Sequence, residues 1–249
     1  MNLVLFDQSE LDAPLPSADP RAQHILKVLR RVPGDTFLAG VINGAHGHAT
    51  LLSIDAASDT LLLTFTPTHE PPPLPPVTLL IGLPRPQTAR DLLRDATTLG
   101  VECIHFIATE RADSNYAASS LWTSGEWRRH VLAGAAQACD TRLPGITWSH
   151  TLASALAFLP PAGEAARFAL DNYEATEALA SALCSPVSSC LPPPPATVLA
   201  LGPERGWGPA DRNALRSAGF TLCALGSRVL RLETAVVAAL TLAHARVAQ

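Results

Sequence analysis

A proline-rich segment divides this chain of 249 residues into two parts with different patterns of hydrophobicity. Residues 71–76 read Pro-Pro-Pro-Leu-Pro-Pro, and such a run favours an extended polyproline II spacer. A chain of this length can form two domains of ordinary size. The sequence therefore predicts a first domain at residues 1–70, a linker at residues 71–76 and a second domain at residues 77–249.

Short β-type runs dominate the first part. They lie at residues 3–6, 37–42, 48–54 and 61–66. The segments between the later runs have compositions typical of tight turns. Ile25, Leu26 and Leu29 recur at helical spacing, which predicts one helix over residues 21–31. Several short strands joined by tight turns favour a small barrel or sandwich.

The second part alternates between strand and helix patterns. Apolar runs typical of buried parallel strands lie at residues 77–83, 103–108, 167–170, 197–201 and 220–225. Helical patterns lie at residues 88–99, 126–139, 174–183 and 209–217, and a last one begins at residue 233. Thr88 with Asp91 fits a capping box for the first helix, and residues 184–195 form a proline-rich connection. These repeated units predict an α/β fold with a parallel sheet covered on both faces.

The composition excludes several classes of protein. With 47% hydrophobic and 16% charged residues, the chain is expected to build a core and not to be disordered. No apolar run approaches the ~18–20 residues that span a bilayer, and the first ten residues lack the features of a signal peptide. The five cysteines are scattered without a CxxC pair, which indicates reduced thiols in a cytoplasmic protein and no metal site.

Basic residues cluster in the first part although the net charge is −4. The overall charge argues against indiscriminate binding to nucleic acid. Residues 21–31 nevertheless contain Arg21, Lys27, Arg30 and Arg31 and no acidic residue. The cluster favours local contacts with RNA phosphates, and a solvated helix face is the alternative.

Two glycine-bearing segments near the C-terminus follow predicted strands. Residues 201–208 read LGPERGWG, and residues 225–235 read LGSRVLRLETA. Loops that follow neighbouring parallel strands can form one ligand pocket. Neither segment is a GxGxxG or P-loop motif, and the chain contains no HExxH or GxSxG motif. Ordinary turn chemistry at strand ends is the alternative interpretation.

This pair of segments resembles the signature of the SPOUT methyltransferases. More closely, it resembles the bacterial 16S rRNA (uracil-N3)-methyltransferases, the ribosomal small subunit methyltransferase E family. The resemblance extends over most of the chain. Weaker similarities to that family lie at residues 24–30 with Gly34 and Asp35, at residues 99–101 and 109–111, and at Gln137 with Pro144.

The resemblance implies a PUA-like β-barrel followed by an α/β domain with a deep trefoil knot. It implies S-adenosyl-L-methionine as the cofactor, 16S rRNA or the small ribosomal subunit as the substrate, and a homodimer. The implied activity is methylation of uridine N3 during rRNA processing. Two alternatives are a SPOUT methyltransferase that acts on another RNA position and a non-catalytic RNA-binding or ribosome-assembly module.

The resemblance also implies which residues form the site. The expected cofactor residues are Leu170, Leu201, Gly202, Glu204, Gly206, Leu225, Gly226, Leu230, Leu232 and Thr234. Arg231 is expected to hold the uracil oxygens or stabilise the developing anion, with an ion pair to Glu233 or Glu204 as the alternative. Glu233 is the second catalytic candidate. Stabilisation of the tail helix is the alternative role of both Glu233 and Thr234.

RNA contacts are expected from five basic residues. These are His24, Lys27, Arg30, Arg31 and Arg228. The alternative for His24 is a packed structural role, and for Arg228 it is the dimer interface. Four positions depart from the family pattern, namely Arg85, Thr98, Asp140 and Arg205. The residues usual in the family at these positions are a lysine, an acidic residue, an arginine and a glycine, respectively.

Overall fold

A five-stranded sheet and a seven-stranded sheet organise the computed structural model, which describes residues 3–11, 13–161, 163–184 and 196–247. The described residues form two compact units. The first comprises the residues up to Pro73 together with Ala135–Leu143, and the second comprises the remainder.

The first unit contains the five-stranded sheet. Its strands are β1 (Val4–Phe6), β2 (Leu15–Pro16), β3 (Thr36–Val41), β4 (His46–Asp55) and β5 (Thr60–His69). Their order is β1-β3-β4-β5-β2, in which β1 is parallel to β3 and the other pairs are antiparallel. The register of β4 against β5 shifts between Leu51 and Ser53, which increases the local twist of the sheet. The predicted strands are confirmed, and β2 was missed because two residues leave no pattern.

The helix predicted at residues 21–31 is shorter and less regular than expected. It consists of α1 (Pro20–Gln23) followed by a π-helical segment at His24–Val28. Asp19 caps α1 by accepting a hydrogen bond of 2.7 Å from the backbone N–H of Arg21. Arg30 has a φ of 54°, in the left-handed region, so the helix ends before it. Ile25 faces the core of the first unit, as the helical spacing predicts.

The second unit contains the seven-stranded sheet. Its strands are β6 (Val77–Gly82), β7 (Cys103–Ala108), β8 (Gly145–Thr151), β9 (Ala165–Leu170), β10 (Glu177–Ala178), β11 (Ala196–Leu201) and β12 (Thr221–Ala224). Their order is β10-β12-β9-β11-β6-β7-β8, and the described pairs are parallel. This confirms the predicted α/β class with a parallel sheet.

Helices follow most of these strands. They are α2 (Pro86–Leu99), α3 (Ser120–Thr123), α4 (Glu126–Ala138), α5 (Leu152–Ala157), α6 (Leu179–Cys184), α7 (Pro209–Ser217) and α8 (Leu232–Val247). Short 3-10 helices lie at Gln8–Glu10 and Ser114–Ala118. Among the described residues, no helix combines the length and apolar character needed to cross a bilayer.

Two predicted details of the second part differ from the structure, and several of its elements were not predicted. The capping box at Thr88 is wrong, because α2 begins at Pro86, a residue well suited to the first helical position. The helix predicted at residues 174–183 begins only at Leu179, since a turn and β10 occupy the preceding residues. The strands β8 and β10 and the helices α3 and α5 were not predicted. Beyond Cys184, the predicted proline-rich connection lies outside the described residues.

The core of the second unit packs around its central strands, and a cleft lies at the carboxyl ends of those strands. Leu80, Ile107, Val198 and Leu222 belong to one buried cluster that joins the sheet to its covering helices. Since the paired strands are parallel, their carboxyl ends lie at the same edge of the sheet. The loops that follow β6, β9, β11 and β12 therefore meet at that edge.

Candidate active site

Three neighbouring parallel strands, β9, β11 and β12, end side by side in the second unit. Leu170 is paired with Leu201 across β9 and β11, and with Cys223 across β9 and β12. The loops after these strands border a cleft of about 610 Å³. Parallel α/β sheets bind ligands at this position, and ligand pockets typically measure ~300–1,000 Å³.

The cleft brings together most of the residues predicted to bind a cofactor. Those that line it are Leu170, Leu201, Gly202, Glu204, Gly206, Leu225, Leu230 and Leu232. Arg228, Arg231 and Glu233 line it as well. Gly226 and Thr234 lie in the same C-terminal segment but are not among the lining residues.

The loop after β11 folds back on itself in a way that requires glycine at position 202. A Cβ at Gly202 would lie 2.8 Å from the carbonyl carbon of Gly206 and 2.9 Å from the nitrogen of Trp207. Both atoms belong to the backbone, so rotation of a side chain could not relieve the contacts. Gly206 has a φ of 68° and donates its N–H to the carbonyl of Pro203 at 2.7 Å. The loop therefore presents main chain to the cleft.

Two further contacts fix this loop to neighbouring strand ends. The indole Nε1 of Trp207 donates a hydrogen bond of 2.9 Å to the carbonyl of Leu170, and the Trp207 residue is only 1% exposed. The Oε1 of Glu204 accepts a hydrogen bond of 3.0 Å from the backbone N–H of Arg85, which follows β6. Glu204 thus ties the loop after β11 to the segment after β6.

A third support comes from Glu110, which follows β7. Its Oε2 accepts the backbone N–H groups of Ala210 at 2.7 Å and Asp211 at 3.3 Å, at the start of α7. The Asp211 carboxylate in turn accepts the N–H groups of Gly208 at 3.0 Å and Glu110 at 3.2 Å. Gly208 has no side chain with which to cap α7, so a carboxylate from another strand-end loop caps the helix.

The segment after β9 contains site residues that sequence reasoning missed. Asp171, Asn172 and Tyr173 line the cleft. The Oδ1 of Asp171 accepts the backbone N–H groups of Tyr173 and Glu174, each at 2.7 Å, and its Oδ2 accepts a hydrogen bond of 2.7 Å from the Nε of Arg212. Polar residues directly after an apolar strand were the available signal. Other lining residues not predicted as site residues are Arg85, Thr88, Pro203, Trp207, Val229 and Ala235.

The two predicted catalytic residues lie at the start of α8. The carbonyl of Arg231 accepts the N–H of Ala235 at 2.9 Å, so Arg231 immediately precedes the first turn. Glu233 and Thr234 lie within that turn, where an acidic side chain is stabilising. Neither Arg231 nor Glu233 forms an ion pair with any residue that the structure describes. The predicted alternative for Arg231, an ion pair with Glu233 or Glu204, is therefore not formed.

The candidate RNA contacts in the first unit differ in exposure. Lys27 and Arg30 are exposed, whereas His24 and Arg31 are half-buried. The Nε2 of His24 and the Nε of Arg31 are buried and have no hydrogen-bond partner within the described ranges. Arg21 forms ion pairs with Glu10 at 2.7 Å and Asp19 at 2.8 Å. Its guanidinium lowers the pKa of both carboxylates. Lys27 and Arg30 are thus the more accessible cations of the cluster.

The described residues indicate neither a metal site nor a reactive cysteine thiolate near the cleft. Over the part of the chain that the structure describes, no group of three or more His, Cys, Asp or Glu side chains could hold a metal ion. Cys223, at the end of β12, is buried, and burial raises the pKa of its thiol to about 11. The thiol therefore stays protonated at neutral pH.

Comparison with known proteins places the chain in a family. The family model of the RNA methyltransferase domain matches residues 70–244. The ribosomal RNA small subunit methyltransferase E of Treponema pallidum is 34% identical over 246 residues, which cover 96% of this chain and 89% of that protein. The chain belongs to the ribosomal RNA small subunit methyltransferase E family. A second member, methyltransferase E 1 of Borreliella burgdorferi, is 23% identical over 239 residues, or 96% of this chain and 95% of that protein.

Solved structures share the fold of this methyltransferase E chain. The methyltransferase E of Neisseria gonorrhoeae, solved bound to S-adenosyl methionine, has a TM-score of 0.73 at 23% identity and covers 97% of this chain and 95% of its own. A probable rRNA-methyltransferase from Porphyromonas gingivalis has a TM-score of 0.79 at 21% identity and covers 100% of this chain and 99% of its own. The similarity therefore extends over both units.

Of the departures from the family pattern, one lines the cleft and one lies in a loop beside it. Arg85 lines it, and Arg205 is exposed in the loop after β11. The carbonyl of Arg205 accepts a hydrogen bond of 3.0 Å from the Nη1 of Arg111. The loop after β11 thus contains Arg205 and is hydrogen-bonded to two further arginines. Arg111 binds the carbonyl of Arg205, and the backbone N–H of Arg85 binds the side chain of Glu204.

The other two departures have local structural roles. The Oγ1 of Thr98 lies 2.9 Å from the carbonyl of Arg94 and 3.2 Å from that of Gly134, and so links α2 to α4. The Oδ1 of Asp140 accepts the backbone N–H of Arg142 at 2.9 Å in the first unit. Neither residue lines the cleft.

Proposed function

We propose that this protein is an S-adenosylmethionine-dependent methyltransferase that modifies N3 of a uridine in the 16S RNA of the small ribosomal subunit. The observation that carries the proposal is the cleft at the ends of β9, β11 and β12, where the two glycine-bearing segments of a methyltransferase E chain converge. Membership of the family supports the uracil-N3 target. The relative from Neisseria gonorrhoeae supports the cofactor, because it was solved with S-adenosyl methionine.

The residues of the cleft fit this cofactor. Leu170, Leu201 and Leu225 supply apolar surface at the strand ends, which suits an adenine ring. Gly202 and Gly206 expose main chain, which can pair with polar groups of a nucleoside and an amino acid. When bound, the cofactor supplies an electrophilic methyl group on a sulfonium, and the protein supplies orientation and electrostatics. The predicted cofactor residues, with Gly226 and Thr234 included, are retained in the proposal.

Arg231 is proposed to act on the uracil. Methylation at N3 requires the loss of a weakly acidic proton, and negative charge then develops on the ring. Arg231 lines the cleft without an acidic partner among the described residues, so its guanidinium is available to hold the uracil oxygens. Because arginine stays protonated, it stabilises the anion and does not accept the proton. Glu233, in the first turn of α8 and also lining the cleft, is proposed as the second catalytic group.

The RNA is proposed to contact both parts of the chain. Residues 1–70 act in this proposal as a PUA-like RNA-binding domain, with His24, Lys27, Arg30 and Arg31 as phosphate contacts. Residues 77–249 act as the methyltransferase domain, with Arg228 as a further RNA contact. Its C-terminal segment is proposed to form the deep trefoil knot of the SPOUT fold, which membership of the family supports.

A homodimer completes the proposal. The helix α8 carries no Asp, Glu, Lys or Arg between Glu233 and Arg246, and its Val237 and Thr241 are exposed. A helix that is apolar on most of its faces is usually covered. This supports α8 as part of a subunit interface.

Two measurements test the proposed reaction. Isothermal titration calorimetry with S-adenosylmethionine is expected to show binding by the wild-type protein. Small ribosomal subunits are isolated from a strain that lacks this protein. When the wild-type protein is added, they are expected to accept tritiated methyl groups from the cofactor, and mass spectrometry is expected to identify the product as N3-methyluridine. N3-methyluridine that persists in the 16S rRNA of the deletion strain would show that another enzyme makes it. Methylation at a different nucleotide would indicate another target. If the protein does not bind the cofactor, the alternative of a non-catalytic RNA-binding module is favoured.

Replacement of Arg231 tests its role. The variant Arg231→Ala is expected to keep the cofactor affinity of the wild type and to lose most of the methyl transfer, because only the reacting uracil uses the guanidinium. A matched control is Arg94→Ala, whose guanidinium is paired with Asp91 and Asp95 on α2. Full activity in the Arg231 variant would refute its catalytic role.

A further inference from the structure

The aromatic ring of Tyr173 is exposed at the edge of the cleft and was not assigned any role by the sequence. The residue lines the cleft and is 76% exposed. The other strongly exposed aromatic residue in the described ranges, Phe158, is 74% exposed and lies outside the cleft. Single exposed hydrophobic residues are common on protein surfaces, so exposure alone implies nothing. The way in which Tyr173 is held is more informative.

A buried ion pair fixes the turn that carries Tyr173. The Asp171 carboxylate binds the N–H groups of Tyr173 and Glu174 through Oδ1 and the Nε of Arg212 through Oδ2, each at 2.7 Å. The side chains of Asp171 and Arg212 are almost fully buried. The backbone N–H of Asp171 donates a hydrogen bond of 3.0 Å to the carbonyl of Cys223 on β12. The backbone position of Tyr173 is therefore fixed by the buried contacts of Asp171 and not by contacts of the tyrosine ring.

The same arginine supports one face of the ring. The guanidinium carbon of Arg212 lies 5.6 Å from the centroid of the Tyr173 ring, within the range of a cation–π contact. Because the guanidinium is buried and the tyrosine is exposed, the opposite face of the ring is the accessible one. A ring that is oriented before binding loses little conformational entropy when a flat ligand stacks on it.

We propose that Tyr173 stacks on a nucleobase that occupies the cleft. The inference rests on the proposed function, because that function brings two kinds of nucleobase to this place, the bases of the RNA and the adenine of the cofactor. Stacking on an aromatic side chain is the usual way in which proteins bind unpaired bases. Tyr173 would then act as a binding residue that positions a base in the cleft that the proposed catalytic group Arg231 also lines.

Three variants of the full chain test the proposal. Tyr173→Ala removes the ring, Tyr173→Phe keeps the ring and removes the hydroxyl, and Phe158→Ala removes an equally exposed ring elsewhere. Circular dichroism verifies that each variant is folded. Cofactor affinity is measured by calorimetry with S-adenosylmethionine. RNA affinity is measured by fluorescence anisotropy with a labelled uridine dodecamer in the presence of S-adenosylhomocysteine.

Stacking predicts a loss that depends on the ring and not on the hydroxyl. Tyr173→Ala is expected to weaken one of the two affinities by about 5- to 150-fold, which corresponds to the loss of one base–aromatic stacking contact. Tyr173→Phe and Phe158→Ala are expected to stay within about twofold of the wild type. A loss confined to the dodecamer identifies an RNA base as the stacking partner, and a loss confined to the cofactor identifies the adenine. Unchanged affinities for both ligands in Tyr173→Ala would overturn the proposal.

The outcome can be separated from that of the proposed function. If the wild type binds the dodecamer or the cofactor but transfers no methyl group, the proposed reaction fails while a ring-dependent affinity still supports stacking. If the wild type methylates small ribosomal subunits and Tyr173→Ala retains both affinities, stacking fails while the proposed reaction stands. A protein that binds neither ligand would overturn both.

Discussion

The Nε of Arg212 donates a hydrogen bond of 2.7 Å to the Oδ2 of Asp171, inside the second unit. The side chains of the two residues are 6% and 1% exposed, respectively. Burial of two charges costs desolvation energy, so such a pair is weak support for stability by itself. Its geometry has a definite consequence here, because Asp171 also holds the backbone of the turn beside the cleft.

Removal of one partner of this pair is expected to be costly. Asp171→Ala leaves the buried Arg212 guanidinium with only the longer ion pair of 3.6 Å to the exposed Glu174. It also releases two backbone N–H groups, so the free energy of unfolding should fall by about 3 kcal/mol. Asp91→Ala is the control, because Asp91 pairs with the partly exposed Arg94 and should cost only about 0–1 kcal/mol. Urea denaturation followed by circular dichroism measures both. Equal losses in the two variants would contradict the prediction.

The support of the loop after β11 gives a second prediction. A Cβ at Gly208 would lie 2.0 Å from the Oε2 of Glu110 and 2.7 Å from its Cβ. Gly208→Ala should therefore displace Glu110 from the start of α7, where its loss as a cap costs about 0.5–2 kcal/mol. It should also weaken the binding of S-adenosylmethionine, since Gly208 adjoins the loop that lines the cleft.

A double-mutant cycle tests whether the contact with Glu110 is the cause. Glu110→Gly removes the three atoms that the added methyl group would approach most closely, the Oε2, Cδ and Cβ of Glu110. The cost of Gly208→Ala in unfolding free energy should then be smaller in the Glu110→Gly background than in the wild type. The same cost in both backgrounds would show that the substitution acts through something other than Glu110.

The sheet of the second unit could be predicted because its central strands carry continuous apolar runs. Residues 77–83 and 197–201 are of this kind, and they form the adjacent strands β6 and β11. The position of the cleft could be predicted from the same apolar runs, since loops after neighbouring parallel strands meet at one edge of the sheet. The edge strand β8 was missed because it is paired on one side only, and polar residues such as Thr147 and Ser149 interrupt its apolar pattern.

The site residues that were missed depend on contacts between distant parts of the chain. Asp171 and Arg212 are separated by 41 residues, and Glu110 and Ala210 by 100. Nothing in the spacing of one segment indicates that a carboxylate from the loop after β7 caps a helix that begins at Pro209. The start of α2 was misplaced for a local reason, because Thr88 and Asp91 mimic a capping box just after Pro86.

The acid stability of the second unit is expected to depend on Glu126. Arg90 donates hydrogen bonds of 2.9 Å and 3.1 Å to its carboxylate, and, with a further contribution from His130, this lowers the pKa of Glu126 from 4.5 to about 2. A carboxylate with a lowered pKa in the folded state stabilises the protein above its unfolded pKa. That contribution should be lost as the pH falls from about 4.5 towards about 2.

Two substitutions measure this contribution. The difference in urea midpoint between the wild type and Glu126→Gln should be constant above pH 5 and shrink progressively as the pH approaches 2. Arg90→Gln should reduce the same pH dependence, because it removes the main cause of the lowered pKa and leaves the smaller contributions of His130 and Arg129. A difference that stays constant down to pH 2 would show that the pKa of Glu126 is not lowered by folding.

The arginines beside the cleft are expected to contribute to the binding of RNA phosphates. The side chains of Arg85, Arg111 and Arg205 are exposed, and none forms an ion pair within the described residues. By contrast, Arg90 and Arg212 are each paired with a carboxylate. Unpaired guanidinium groups release counterions from RNA when they bind its phosphates, which makes the affinity depend on salt.

The salt dependence of RNA binding tests this role. For a labelled uridine dodecamer, Arg205→Ala should reduce the slope of log affinity against log salt concentration by about 0.7, the value for one phosphate contact on a single strand. The affinity for S-adenosylmethionine should not change, because Arg205 does not line the cleft. Arg94→Ala should leave the slope unchanged, since that guanidinium is already paired with Asp91 and Asp95. An unaltered slope in Arg205→Ala would exclude a phosphate contact by this residue.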